Sequence, residues 1–125
     1  MTKNEISYKI RGCIFEVYNQ LGPGLLESVY QHILRYELEK QGLIVKMEVA
    51  LPVIYDDKLF DIGFRLDLLV NEKVIIEIKS VEKLAEVHHK QVITYLKLSN
   101  IKLGILVNFN SDDISKSIYR KVNKL

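Results

Sequence analysis

Two apolar runs lie almost end to end in this chain: Arg65-Leu66-Asp67-Leu68-Leu69-Val70 and Val74-Ile75-Ile76-Glu77-Ile78-Lys79, separated by a short turn at Asn71-Glu72. Runs of this kind, this close, predict two buried strands paired as a hairpin. Each holds a carboxylate among apolar neighbours, which is costly unless the charge is compensated, and a bound cation is the usual compensation. Strand side chains alternate, so Glu77 and Lys79 point to one face while Ile76 and Ile78 point to the other. The hairpin lays Asp67 beside that pair. Two carboxylates and an ammonium on one patch outline a Mg2+-dependent hydrolytic site. The competing reading is a cross-strand salt bridge from Lys79 to Asp67 or Glu77 on a half-exposed sheet face.

The rest of the chain supplies layers for this hairpin. Ile6, Ile10, Cys13, Ile14, Val17, Tyr18 and Leu21 recur at helical spacing and predict a helix over 5–21, ended by Gly22-Pro23-Gly24. A second helix is expected over 25–40, with Leu26, Val29, Tyr30, Ile33 and Leu34 inward and Gly42 as its stop. Strands are expected over 45–55, where Pro52 suggests an edge or bulge, and over 60–70 and 74–79, with a turn at Asp56-Asp57-Lys58. Residues 84–98 return to helical period, through Leu84, Val87, Val92, Tyr95, Leu96 and Leu98. An apolar strand containing Gly104 follows over 102–109, and Ser111-Asp112-Asp113 should cap a last helix running toward Val122. The order ααβββαβα implies one α/β (α+β) domain over 1–125, a mixed sheet with helices packed on it.

Composition narrows the class. With 48% hydrophobic and 27% charged residues, the 125-residue chain can bury one core and is neither disordered nor fibrous. No apolar stretch approaches the roughly 18 residues that cross a bilayer. The first residues lack the apolar region and cleavage site of a signal peptide, and the single cysteine, Cys13, cannot staple a fold, so the cytoplasm is the expected compartment and no membrane partner is expected. The net charge of +2 does not by itself mark a nucleic-acid binder. Lys116, Arg120, Lys121 and Lys124 make the C-terminal segment basic, which a solvated helix face explains better than a binding surface does.

In the metal reading, Asp67 and Glu77 supply carboxylate oxygens to Mg2+ (or Mn2+) and the Ile78 backbone carbonyl between the functional side chains supplies another. Lys79 orients or helps deprotonate water and stabilises charge building on a phosphate. Glu27 stands early in the second helix, where the helix dipole alone accounts for a glutamate. His88, Gln91 and Tyr95 share one face of the long helix, either flanking a site or forming a polar rim above the core. His32 and His89 have no such company and read as surface residues.

Four segments together carry a family resemblance. Gly24-Leu25-Leu26-Glu27-Ser28-Val29-Tyr30 resembles the name-giving motif of the GxxExxY proteins. Asp67 with Glu77-Ile78-Lys79 is similar to the D…E-x-K signature of the PD-(D/E)XK nuclease-like superfamily, in which that family is placed. His88 to Leu96 resembles its H-x-x-Q-x-x-x-Y-L segment, and Leu103-Gly104-Ile105-Leu106-Val107-Asn108-Phe109 its last core strand. The resemblance implies a restriction-endonuclease-like αβββαβ core, with an extra N-terminal helix and a C-terminal helix. It implies Asp67 and Glu77 as metal carboxylates, Lys79 as the catalytic lysine and Glu27 as an additional acid. Gln91 and Tyr95 would flank the site. One departure is Leu66, where the motif's proline would precede Asp67.

The function expected is therefore Mg2+-dependent phosphodiester hydrolysis on nucleic acid, DNA foremost. The alternative is a non-catalytic module of the same fold that binds nucleic acid or a protein partner. Size supports this alternative, because 125 residues leave few elements to grip a duplex, and a partner subunit or self-association could supply them.

Overall fold

Thr2 and Glu5 open the first helix. Thr2 Oγ1 accepts from the Glu5 amide and Glu5 Oε1 accepts from the Thr2 amide, both at 3.1 Å, which satisfies two donors the helix would otherwise orphan. In the computed structural model, which describes residues 1–124, α1 (Lys3–Leu21) ends at Gly22, whose φ of 69° turns the chain and sends its N–H to the Tyr18 carbonyl. Ile6, Ile10, Ile14 and Val17 form the buried stripe that their spacing predicts.

Helix α2 (Glu27–Lys40) corrects the expected inward face. Tyr30, Gln31, Leu34 and Leu38 are buried, whereas Leu26, Val29 and Ile33 are exposed. The reason is the seating of Tyr30. Its ring stacks on Phe109 at 4.4 Å, and its hydroxyl donates to the Gly22 carbonyl at 2.6 Å while accepting from the Leu25 amide. That wedge fixes the rotation of the helix and turns its valine and isoleucine toward water.

The sheet runs β1 (Val45–Ala50), β4 (Arg65–Val70), β5 (Val74–Lys79), β6 (Leu103–Asn108), β7 (Ile118–Val122) in spatial order. All neighbours are antiparallel except β5 and β6, which are parallel and joined by α3 (Glu86–Ser99). Helices α1 and α2 cover one face, over Leu68, Val70, Ile76, Ile78 and Ile105. On the other face α3 places Leu96 near Leu69 and Ile75. It sits so close that a Cβ on Gly104 would meet Val92 Cγ1 at 2.9 Å. This is a mixed α/β architecture consistent with the restriction-endonuclease-like core.

Three expectations are corrected. The strand expected over 45–55 stops at Leu51-Pro52, because proline has no N–H for the ladder, and Val53–Tyr55 (β2) pairs instead with Lys58–Phe60 (β3) in a separate two-stranded hairpin. The strand expected over 60–70 is interrupted after Phe60 by a segment in which Gly63 takes φ 93°. The C-terminal helix is absent: Ile114–Lys116 forms one 3₁₀ turn and Ile118–Val122 is strand β7. Asp113 does cap, accepting from the Ser115 amide at 3.1 Å, but it serves that single turn. The residues beyond it pair with β6, whose fully buried strand would otherwise present a bare edge. Arg120 and Lys121 therefore lie on an edge strand.

Candidate active site

The hairpin β4–β5 pairs Val70 with Val74, Leu69 with Ile75 and Leu68 with Ile76. The next rung would set Asp67 against Glu77, and there the backbone ladder stops. Side chains replace it. The Asp67 amide donates to Glu77 Oε1 at 3.2 Å, and the Ile78 amide donates to Asp67 Oδ2 at 2.8 Å. Each carboxyl thus takes the place of a strand carbonyl, and the two strands part where the two acids stand.

Burial sets the electrostatics. Glu77 is 4% exposed, and desolvation first, then the neighbouring Asp67 charge, push its carboxyl up to about 9. Asp67 is raised as well, chiefly by burial, opposed by the hydrogen bond from Ile78 and the Lys79 charge. Burial and the like charge alongside therefore keep Glu77 protonated near neutral pH. A divalent cation bound here would relieve the same like-charge conflict and let both acids ionise. Asp67 and Glu77 each use one carboxyl oxygen on a backbone amide, which leaves the other oxygen of each as one that could meet a hard cation such as Mg2+. Lys79 is half-buried on the same side of β5. Among the described residues it makes no salt bridge, so the cross-strand ion pair does not form, although its charge favours both carboxylates.

The other expected residues are distributed around this rung. Tyr95 reaches it from α3: its hydroxyl is raised by burial and then by the charges of Glu77 and Asp67, and its ring lies 6.0 Å from Phe64. Gln91, one turn earlier, is half-buried. His88 is drawn into the start of the helix, where its Nδ1 accepts from the Ala85 amide at 3.0 Å. Glu27 does not join the pair. Its Oε2 accepts from the Ser80 amide at 3.0 Å, and Ser80 Oγ donates back to the Leu25 carbonyl, which ties the start of α2 to the end of β5. Among the described residues no three His, Cys, Asp or Glu side chains cluster as a ready metal cage. The cavity of about 600 Å³ beside Glu82, Asn108 and Tyr119 is not lined by the carboxylate pair. His89, expected at the surface, packs half-buried and edge-on against Tyr119.

Three residues near the site escape the sequence pattern. Gln31 is buried beneath Asp67, Glu48 faces it from β1, and Asn108 holds the chain beyond Lys79 by accepting from the Val81 amide and donating to the Val81 carbonyl. Only Gln31 leaves a trace in the sequence, as an amide directly beside Tyr30 on the helical stripe. A family model described as the PD-(D/E)XK nuclease superfamily matches residues 4–121 of the chain. No curated protein and no solved structure matches it.

Proposed function

The chain belongs to the PD-(D/E)XK nuclease superfamily, and we propose on that footing that it is a divalent-metal-dependent phosphodiester hydrolase acting on DNA. Within the superfamily we place it among the GxxExxY proteins, from Gly24, Glu27 and Tyr30, and in the cytoplasm. Among the described residues no helix is long and apolar enough to cross a membrane.

The observation that carries this reading is the parted rung. Two carboxyls that replace a strand rung, Glu77 buried and Asp67 half-buried, with a lysine free of salt bridges on the same side, suit a cation and a phosphate better than they suit a strand ladder. Asp67, Glu77 and the Ile78 carbonyl would hold Mg2+ (or Mn2+), which supplies Lewis-acid activation of a phosphoryl oxygen and lowers the pKa of bound water. Lys79 orients the attacking water and stabilises charge developing on the phosphate. Tyr95 and Gln91 shape the wall from α3, and His88 fixes the first turn of that helix. Glu27 holds Ser80, and through it the end of β5.

Replacing Lys79 by Ala should lower single-turnover cleavage of labelled duplex, single-stranded or branched DNA in Mn2+ by about 10² or more. DNA affinity measured in Ca2+ should fall far less, by about one phosphate contact, and should weaken with salt in both proteins. Equal cleavage by the variant would remove the lysine from the mechanism. One observation favours a second reading, a non-catalytic module of the same fold bound to a protein partner or a second copy: the β2–β3 hairpin exposes Ile54, Tyr55, Leu59 and Phe60. Wild type that neither binds nor cleaves any of these substrates would put that reading first, and tight DNA binding without cleavage would make the chain a non-catalytic nucleic-acid binder.

A further inference from the structure

The distortion at Asp67 extends into β1. Strands β1 and β4 pair Met47 with Leu68 and Val49 with Leu66, and the rung between them, Glu48 against Asp67, is missing. Glu48 occupies φ 53°, in the left-handed region, which costs a non-glycine residue about 1–2 kcal/mol and persists only where the surroundings impose it. The two strands also change faces at this step. Val45, Met47, Leu68 and Val70 pack under α1 and α2, whereas Val49 and Leu66 pack on the α3 side.

One side chain spans the step from above. Gln31 is 7% exposed, and its Nε2 donates to the Asp67 carbonyl at 3.0 Å and to Glu48 Oε1 at 2.7 Å. Both protons of the amide are therefore used, one on each strand. Asp67 is consequently held at three points: its carbonyl by Gln31, its amide by Glu77 and its Oδ2 by the Ile78 amide. Without Gln31 the half-buried Asp67 carbonyl would lose its partner, and among the described residues no other side-chain hydrogen bond ties the displaced β1 to β4 across the missing rung.

We propose that Gln31 is a positioning residue for Asp67, clamping the face-switching step between β1 and β4 so that the Asp67 carboxyl stays aimed at the Ile78 amide and Glu77. The clamp deepens the metal-site reading, yet its geometry exists without metal. The Ile78 amide is its natural reporter, because that N–H is protected only while the Asp67 carboxyl stays in place.

The test uses the full chain and three variants. Gln31→Met keeps the side-chain length and removes the amide, Glu48→Ala removes the exposed second anchor, and Leu38→Val weakens α2 packing away from Asp67. Hydrogen exchange without metal should show Ile78 losing about tenfold or more protection in Gln31→Met beyond its loss of global stability. Glu48→Ala should shift Ile78 in the same direction by less, and Leu38→Val should not shift it beyond the global change. Mn2+ affinity, measured by titration calorimetry, should fall about 10- to 100-fold in Gln31→Met, the range for losing a partner that orients a ligand, and should hold in Leu38→Val. Unchanged Ile78 protection in Glu48→Ala, together with equal protection in Gln31→Met and Leu38→Val or an unfolded Gln31→Met, overturns the clamp. Selective loss at Ile78 in a protein whose wild type takes up no Mn2+ would uphold the clamp and remove the metal from the functional reading.

Discussion

The two sides of β5 are built on opposite terms. Toward β6 the strand is zipped from end to end, with parallel pairs from Val74 and Leu103 through to Lys79 and Asn108. Toward β4 it is zipped for three pairs and then opens at Glu77. The closed side is apolar and pressed from outside by α3 at Gly104. On the open side two carboxyls carry the hydrogen bonds that a backbone would carry elsewhere. One strand thus separates a region built for stability from one whose buried acids oppose it, and the chemistry proposed for this chain lies on the second.

The largest effect that sharpens this contrast is the response of the metal-free protein to pH. Burial and the Asp67 charge raise Glu77 from 4.5 to about 9 in the folded chain, so the native state keeps a proton that the unfolded chain releases near pH 4.5. The stability linked to this group is complete below about pH 4.5 and is lost progressively as pH rises toward 9, by at most about 1.4 kcal/mol per pH unit. Chemical denaturation across that window should show the decline in wild type and a much flatter curve in Glu77→Gln, with the variant the more stable protein at the alkaline end. A parallel decline in both would mean that the open side is not where the acid strain resides.

Next in size is a change on the closed side. Gly104→Ala puts a methyl within 2.9 Å of Val92 and 3.3 Å of Leu96, and it should cost about 1–3 kcal/mol in urea denaturation, the range for overpacking a filled core. Metal response should be untouched, since β5–β6 pairing does not involve the carboxyls. A loss of metal response equal to that of a site variant would blur the distinction between the two sides.

Period-two alternation predicts Asp67 beside Glu77, and the hydrogen bonds of Asp67 to Glu77 and to the Ile78 amide do bring them together, although β4 switches faces at that very residue. It could not show the ladder parting, since the hydrogen bonds that replace it depend on the reach of two particular side chains. Glu48 is invisible for the same reason: an outward residue in an alternating strand looks the same whether its backbone is extended or left-handed. At the C-terminus Asp113 is a genuine cap, and a cap signal in the sequence does not tell a single 3₁₀ turn from a full helix. The deciding fact, a bare β6 edge, lies in the tertiary structure. For α2 the motif Gly24 to Tyr30 marked the right segment, but its rotation rests on the long-range stack of Tyr30 on Phe109.

The smallest expected effect is the most direct. If the parted rung is the metal site, a divalent cation should stabilise the native chain by mass action, about 1.4 kcal/mol at tenfold its dissociation constant. Its affinity should rise with pH as Glu77 gives up its proton. Melting temperatures of wild type and Asp67→Asn, measured over a range of Mn2+ concentrations, test this without any substrate. The account predicts a rise of a few degrees in wild type and a much smaller one in the variant. Equal rises in both proteins would place the cation elsewhere and contradict the assignment of Asp67 and Glu77 as its ligands.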